Sequence, residues 1–292
     1  MRLELWSMGR YKKILVAVDG SKSGRNALRQ AFRLAVDEKC WITVTSVVPP
    51  FTGDLELTGV KGDVLASLAK PYEDALREAE QLARDDRVLI KTLLEEGETY
   101  ERIVDLADAE NCGIIVMGRR GVHRYERASI GSVTARVIGH TQRDVLVVPN
   151  GTTLGWKKIL VGTDGSKFSA AAIDKAIAFA KSYGGELAVM SVVDVPAEFH
   201  AEAPQAVEDM VRKAKEYTAA VRRQAEGEGV KAESYVGEAE AWEAMVKLAR
   251  EQQVDMIVVG SHGRTGLRRL LMGSVTEKVI GHAPCPVLVV KS

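Results

Sequence analysis

Apolar and polar residues alternate along this chain with two different periods. Short runs of apolar, mostly β-branched residues are separated by longer segments in which apolar residues recur every three to four positions, as at Ile173, Ile177 and Ala180. This alternation is typical of a parallel sheet whose strands are connected by helices. It predicts an α/β fold with five strands in each half of the chain.

The predicted elements follow the same pattern in both halves. Strands are predicted at residues 13–18, 41–47, 88–94, 114–117 and 145–148, and at residues 158–162, 186–192, 230–236, 255–259 and 287–290. Helices in the second half are predicted at residues 168–182, 204–226, 240–253 and 274–282. Residues 49–62 are predicted to form a long loop, and His200 also falls in a predicted loop.

The two halves are copies of one sequence unit. The segment KKILVAVDGSK at residues 12–22 recurs as KKILVGTDGSK at residues 157–167, a shift of 145 positions. Glycines later in the unit recur with a shift of 142 positions, which indicates a small net deletion in the second copy. The turn-forming residues NGTTLG at 150–155 separate the copies. We therefore predict two domains, residues 1–151 and 152–292.

Composition narrows the class of protein. The chain has 292 residues with 40 basic and 40 acidic side chains, and this balance counts against a protein that tracks nucleic-acid phosphates. Its 46% of hydrophobic residues excludes a disordered chain. Cys40, Cys112 and Cys285 lack the spacing of a disulfide framework or a zinc site. The sequence suggests neither a signal peptide nor a membrane span, so we expect a cytoplasmic protein without membrane or nucleic-acid partners.

Candidate chemistry follows the first and fourth strands of each copy. Asp-Gly-Ser follows the first strand at Asp19 and Asp164, and the pattern G-x2-G-x9-G-S follows the fourth strand. Ligands of open parallel sheets bind beyond the carboxyl ends of the strands. Glycines let an oxyanion approach the backbone, and the N-terminus of a helix favours negative charge. The pattern therefore indicates a phosphate-binding site in each copy.

Purely structural interpretations of these motifs remain open. Ser274 and Glu277 match a capping box, in which the motif is an ordinary helix start with turn glycines. Asp19 and Asp164 match turn aspartates that bond to their own backbone. The chain lacks the P-loop sequence G-x-x-x-x-G-K-[ST] and has no G-x-G-x-x-G after its first strand. P-loop NTPases and dinucleotide-binding Rossmann proteins are therefore disfavoured.

The motifs, together with the closing strand PVLVV at residues 286–290, resemble the universal stress protein family in its tandem form. The resemblance covers nearly the whole chain, twice. It implies two Rossmann-like domains of the adenine nucleotide alpha hydrolase type, each with a five-stranded parallel sheet in the order 3-2-1-4-5. It also implies ATP binding, for which we expect Mg²⁺ to neutralise the phosphates. The two final strands are expected to pair within the chain as a pseudo-dimer, and a homodimer of whole chains is a further expectation.

Carried over residue by residue, the resemblance assigns a site to each copy. Residues near Asp164 would line the adenosine end, Val192 would hold adenine, and the motif glycines and serines would form the phosphate cradle. In the first copy the implied site residues are Ala17, Val18, Asp19, Val47, Met117, Gly118, Arg120, Gly121, Gly131, Ser132 and Val133. In the second copy they are Gly162, Thr163, Asp164, Val192, Val259, Gly260, His262, Gly263, Arg264, Gly273, Ser274 and Val275.

The copies differ beside the phosphate motif. The first carries the cationic residues Arg119, Arg120, His123 and Arg124, where the second has Ser-His-Gly-Arg at residues 261–264. Three interpretations of the cationic residues remain open: charge-assisted contact with phosphate, a cover over the site, or pairing with Glu126 on a solvated loop. We therefore expect the second copy to hold the better nucleotide site.

The expected function is that of an ATP-binding regulator of a stress response. No residue stands out as a general base for attack on the γ-phosphate and no arginine finger can be assigned, so fast hydrolysis is not expected. His140 and His282, each in a Gly-His pair at a predicted helix end, are interpreted as partners of the helix dipole. Two alternatives remain: a nucleotide-hydrolysing or adenylyl-transferring enzyme of the same fold, and a structural interaction module without nucleotide.

Overall fold

The computed structural model describes residues 9–50, 61–121, 130–262 and 272–291. The first half contains β1 (Lys13–Ala17), α1 (Lys22–Glu38), β2 (Trp41–Val48), α2 (Lys61–Asp85), β3 (Ile90–Glu96), α3 (Thr99–Ala109), β4 (Ile114–Gly118), α4 (Ser132–His140) and β5 (Asp144–Val148). The second half contains β6 (Lys158–Gly162), α5 (Lys167–Tyr183), β7 (Glu186–Val193), α6 (Ala197–Glu202), α7 (Pro204–Gly227), β8 (Ala232–Glu238), α8 (Ala241–Glu251), β9 (Met256–Gly260), α9 (Ser274–His282) and β10 (Val287–Val290).

The strands form one ten-stranded sheet in the order β3-β2-β1-β4-β5-β10-β9-β6-β7-β8. Within each half the strands are parallel and follow the expected order 3-2-1-4-5. The final strands β5 and β10 pair antiparallel, with Leu146 opposite Leu288. The expected pairing of these strands within the chain is confirmed. The structure differs from two separate five-stranded sheets because this pairing makes them one.

Helices cover both faces of the sheet. Residues of α1, α2, α5 and α7 pack against alternate strand residues such as Val16 and Val161. Residues of α3, α4, α8 and α9 pack against the opposite face, on residues such as Leu15 and Leu160. Because both faces are covered, the central strands are buried on both sides, which explains their continuous apolar runs. α5 and α8 bury the apolar stripes that their sequence periods predict.

Asp144 joins the two halves where β5 and β10 pair. Its buried carboxylate accepts hydrogen bonds from the Tyr11 hydroxyl at 2.7 Å and from the Lys291 backbone N–H at 3.0 Å, and it pairs with the Lys175 ammonium. Tyr11 and Asp144 belong to the first half, whereas Lys175 and Lys291 belong to the second. These contacts are needed because an isolated buried charge is costly.

The segment before the first strand of each half contacts the first helix of the other half. The Arg10 guanidinium, ahead of β1, donates to the Ala178 carbonyl in α5. The Leu154 N–H, ahead of β6, donates to the Gln30 side-chain oxygen in α1 at 2.9 Å. The two halves are thus held by reciprocal contacts outside the sheet as well as by the β5–β10 pair.

The two outer strands begin later than predicted. β3 begins at Ile90 and β8 at Ala232, whereas Val88 and Val230 were predicted as the first strand residues. The Val88 N–H donates to a carbonyl in the last turn of α2 at 2.8 Å, and the Val230 N–H donates to one in the last turn of α7 at 2.9 Å. These apolar residues therefore close the preceding helices, which their apolar character alone does not reveal.

Two helices include residues that were predicted to lie in loops. His200 lies in α6, which spans six residues and is too short to display a helical period. α2 begins at Lys61, so the end of the predicted loop 49–62 is helical, and residues 51–60 lie outside the described residues. Among the described helices, none combines the length and apolarity needed to cross a membrane.

Candidate functional site

Both predicted sites lie where the strand order reverses. In the first half, Ala17 of β1 lies opposite Thr45 of β2 on one side and Met117 of β4 on the other. The helices that follow β1 and β3 pack on opposite faces of the sheet, which is the arrangement in which open α/β sheets bind ligands beyond the carboxyl ends of their strands. Asp19 and Asp164 follow β1 and β6 at this edge.

The Asp-Gly-Ser turn has the same geometry in both halves. Asp19 Oδ1 accepts the Ser21 N–H at 3.0 Å, and Asp164 Oδ1 accepts the Ser166 N–H at 2.9 Å. Ser21 and Ser166 then cap α1 and α5. The hydrogen bond of a turn aspartate is therefore present, and it fixes the carboxylate at the strand end. Both carboxylates thus lie at the edge where a ligand is expected.

The central glycine of this turn has φ near +75° in each half, at +74° for Gly20 and +76° for Gly165. This left-handed conformation favours glycine. Gly121 lies against the same turn, because a Cβ built on it would be 2.5 Å from Asp19 Oδ2. The phosphate motif and the Asp-Gly-Ser turn therefore meet in the first half, as the sequence predicts.

Gly118 and Gly260 are required by packing. A Cβ at Gly118 would lie 2.6 Å from Ser23 Oγ, and a Cβ at Gly260 would lie 2.7 Å from the Phe168 carbonyl oxygen. Each glycine therefore lets the first helix of its half approach the end of the fourth strand. Gly131 has more room, since its nearest neighbour would be the Arg119 carbonyl oxygen at 3.4 Å. Close packing is therefore one reason for glycine at these two positions of the motif.

α4 and α9 begin at the phosphate motif. Gly131 and Gly273 are the N-caps, and their N–H groups return to the loop carbonyls of residues 119 and 261 at 2.9 Å. Ser132 and Ser274 are the first helical residues, so the Ser274 side chain is not the N-cap that the capping-box interpretation requires. Both serines are exposed, and neither hydroxyl has a hydrogen-bond partner among the described residues.

The first turns of these two helices offer backbone N–H donors, because the first N–H groups of an α-helix lack partners within the helix. Together with the helix dipole and an exposed hydroxyl, they form a site suited to an anion. Thr134 and Thr276 anchor each turn, since their hydroxyls donate to the Gly118 and Gly260 carbonyls at 3.1 Å and 2.9 Å.

Family comparison accounts for both halves of the chain. The model of the universal stress protein family matches residues 10–149 and again residues 155–291. The chain belongs to the universal stress protein family. A universal stress protein of Methanocaldococcus jannaschii is 40% identical over 151 residues, which cover 50% of this chain and 87% of that relative. One from Mycolicibacterium smegmatis is 26% identical over 290 residues and covers 95% of this chain and 96% of its own length.

The fold agrees with that of a solved relative. The crystal structure of a universal stress protein from Archaeoglobus fulgidus superimposes with a TM-score of 0.73 at 20% identity, and 97% of each chain is covered. At this identity the likeness concerns the fold, a tandem pair of Rossmann-like units with a parallel sheet in each.

Several of the predicted site residues are buried. Val18, Val47 and Met117 are buried in the first half, and Val259 and Thr163 are buried in the second. The Thr163 hydroxyl accepts the N–H of the turn glycine at 3.3 Å, so it supports the turn. Ala17, Val133, Gly162 and Val192 are among the predicted residues that are half-buried. Val275 is exposed in the first turn of α9.

The cationic residues of the first half separate. Arg119 extends toward the second half, where its Nη1 lies 3.4 Å from the Ala283 carbonyl oxygen. Burial, and then the charge of Arg120, lower the pKa of Arg119. Arg120 is exposed beside Gly121. His123, Arg124 and Glu126 lie outside the described residues, so pairing with Glu126 stays a prediction.

In the second half, Ser261 and His262 take the places of Arg119 and Arg120. Ser261 is buried, and its Oγ lies 3.2 Å from His262 Nδ1. The His262 ring packs on Phe168, with ring centroids 5.4 Å apart. Gly263 and Arg264 lie outside the described residues. The Arg119 guanidinium, which contacts the other half, therefore has no counterpart at Ser261.

The two Gly-His pairs lie at the opposite ends of the same helices. His140 Nδ1 lies 2.7 Å from the Arg136 carbonyl oxygen, and His282 Nδ1 lies 2.8 Å from that of Lys278. The rings pack on Tyr100 and Trp242, with centroids 4.8 Å and 4.5 Å apart. Both histidines are the last residues of their helices, which agrees with their interpretation as partners of the helix C-terminus.

Two grooves lie at the outer strands. One of about 520 Å³ is lined by His200, Val207, Arg212 and Glu238, beside α6 and α7. Another of about 310 Å³ is lined by residues that include Val48 and Gly97. No predicted site residue lines either groove. Within the described residues, no group of three or more His, Cys, Asp or Glu side chains could hold a metal ion.

Sequence reasoning missed one pair of residues beside the sites. Tyr217 of α7 packs on Gly165 of its Asp-Gly-Ser turn. α2 and α7 align with a shift of 142 positions, so Tyr217 corresponds to Ala75, and Tyr72 lies one helical turn before that position. The repeat therefore gave no signal for these tyrosines, because neither recurs at the same position in the other copy.

Proposed function

We propose that this universal stress protein binds ATP beyond the carboxyl ends of its strands, with one site in each half. The observation that carries the proposal is the paired start of α4 and α9. In both halves a glycine N-cap precedes an exposed serine, and the first N–H groups of the turn that follows have no partner within the helix. A triphosphate matches this donor set because helix N-termini favour anions.

The residues present fit an adenine nucleotide. Ser132 and Ser274, with the backbone N–H groups of their helical turns, would hold phosphate oxygens. Asp19 and Asp164, each fixed by a backbone hydrogen bond at its strand end, would accept hydrogen bonds from ribose hydroxyls or an adenine amino group. The apolar residues predicted at the site suit the adenine ring.

We propose Mg²⁺ as the counterion of the bound triphosphate. Mg²⁺ usually keeps several waters and is held by one or two protein groups plus substrate phosphates. This fits a site whose described residues contain no cluster of metal-ligating side chains. The phosphate oxygens would therefore supply the main ligands.

We propose regulation by the bound state as the role of the nucleotide. The described residues of the phosphate motif, 118–121 and 131–134, carry no carboxylate or thiol. Slow ATP hydrolysis is the second candidate, and one observation favours it: the Asp19 carboxylate lies against Gly121 of the motif. Product analysis by mass spectrometry separates the two candidates, because appearance of ADP faster than in a protein-free control would support hydrolysis.

Calorimetry with ATP tests the proposal on the full chain. We expect saturable binding in the presence of Mg²⁺. A paired substitution, Ser132→Glu with Ser274→Glu, places a like charge where phosphate would lie while suiting the start of a helix. At an effective dielectric constant near 20, such a charge weakens ATP binding by about tenfold or more.

A matched control adds the same charge elsewhere. Gln205 is exposed in the first turn of α7, and Gln205→Glu should leave ATP affinity unchanged. Absence of binding by the wild-type chain at high micromolar ATP would refute the proposed function. Equal affinities for the serine pair and the control would refute the assignment of the phosphate end to α4 and α9.

A further inference from the structure

Tyr217 packs directly on the Asp-Gly-Ser turn of the second half. A Cβ built on Gly165 would lie 2.7 Å, 2.8 Å and 3.1 Å from three ring carbons of Tyr217. The ring therefore covers the turn glycine immediately after Asp164. Tyr217 is half-buried, so part of its ring remains accessible at the edge of the site.

Ala75 of α2 has the corresponding position in the first half, since its Cβ would lie 3.8 Å from a Cβ built on Gly20. Tyr72 precedes Ala75 by one helical turn. Residues three apart share one face of a helix. Tyr72 is half-buried. Burial, and then the charge of Asp19, raise the pKa of its phenol, which agrees with a position beside that carboxylate.

The buried stripe of α2 explains the position of Tyr72. In α2, the stripe Ala75, Leu76 and Ala79 packs on the sheet. Tyr72 extends this stripe by one turn toward the helix N-terminus, which is the end nearer the carboxyl ends of the strands. Tyr72 therefore lies toward the edge where the ligand is expected.

We infer that Tyr72 and Tyr217 are base-stacking residues, each placing its ring against the adenosine part of a nucleotide bound in its half. The inference rests on the nucleotide binding proposed above and deepens it. A tyrosine suits this place because its ring is flat and amphipathic, and because base–aromatic stacking tolerates every base face. The ring adds no charge near the phosphates, so its contribution concerns the nucleoside alone.

The test compares leucine and phenylalanine at both positions. The double variant Tyr72→Leu/Tyr217→Leu keeps an apolar contact with the turn but removes the flat ring. We expect its affinities for ATP and AMP to fall by about tenfold each. Tyr72→Phe/Tyr217→Phe keeps the ring and should bind both nucleotides within about twofold of the wild type. Inorganic tripolyphosphate should bind all variants equally.

A control tyrosine lies on the outer strand β8. Tyr235 is half-buried and donates its hydroxyl to Glu233 at 2.6 Å, away from both turns. Tyr235→Leu should leave nucleotide affinity unchanged. Unaltered ATP and AMP affinities in the double leucine variant would overturn the inference. An equal loss for ATP and tripolyphosphate would also overturn it, since it would place the effect at the phosphates.

A second measurement does not depend on the stability of the leucine variant. Tyr217→Trp keeps an aromatic ring on the turn and adds a fluorophore. Its fluorescence, compared with that of the wild type, should change on addition of AMP and stay constant with tripolyphosphate. No change with AMP would overturn the inference for the second half. Failure of the wild type to bind ATP would instead contradict the proposed function.

Discussion

Gly118→Ala tests whether the motif glycine at the end of β4 serves packing. The new Cβ would lie 2.6 Å from Ser23 Oγ and 2.8 Å from the Ser23 carbonyl carbon. The hydroxyl could rotate away, but the carbonyl carbon belongs to the backbone of α1, so relief requires the helix to move. Overpacking of this kind costs about 1–3 kcal/mol, and we expect the free energy of unfolding to fall by about 2 kcal/mol.

The assay is urea unfolding followed by far-ultraviolet circular dichroism. Gly131→Ser is the matched control, because Gly131 has room for a Cβ and serine is a favoured N-cap residue. The control should unfold at the wild-type urea concentration or slightly above it, with the same m-value. If Gly118→Ala proved as stable as this control, the packing explanation of Gly118 would be wrong.

Three further predictions concern charged groups outside the candidate sites. Asp144→Asn should lower the free energy of unfolding by about 2 kcal/mol, because it removes a buried charge that its partners surround. The control Asp108→Asn removes an exposed ion pair and should change the free energy of unfolding by under about 0.5 kcal/mol. A hydrogen bond from Lys13, and then one from a second lysine, hold the pKa of Glu110 at about 2 against an ordinary 4.5. The stability advantage of the wild type over Glu110→Gln should therefore be complete above pH 4.5 and vanish as the pH falls through 2, as measured by urea titrations at each pH. Burial lowers the pKa of Lys291 to about 8 from 10.5, so the unfolded chain binds more protons between these values. The stability of the wild type relative to Lys291→Met should rise from pH 8 to pH 10.5, and a flat or falling difference would contradict the burial of its ammonium.

Most of the fold was predictable because its pattern is repeated and its strands are buried on both faces. Residues 159–161 are apolar without interruption, and the strand that contains them has the predicted bounds 158–162. At the outer strands the pattern fails, since Val88 and Val230 are apolar for a different reason: they close the preceding helices. Periodicity detects burial, and burial alone does not distinguish a strand from a helix end.

The candidate site was predictable where its chemistry is local in sequence. Asp19, Gly20 and Ser21 form a turn whose hydrogen bond joins residues two positions apart. The role of Gly118 was not predictable in the same way, because the atoms that exclude a side chain there belong to Ser23 on another element. Tyr217 was missed for the same reason, since only the folded chain brings α7 over Gly165.

The antiparallel pairing of β5 with β10 has a consequence for how the two sites can differ. If the two domains were separate chains that paired through these strands, they would exchange partners at random. Two different domains would then form a mixture of like and unlike pairs. Here the edge closes within one chain, and a covalent link replaces subunit concentration by a fixed effective concentration. Each molecule therefore always carries one Arg-Arg loop opposite one Ser-His loop, in equal number, whatever its abundance in the cell. Because both copies lie in one chain, the sequence of one copy can change while every molecule still carries the other copy.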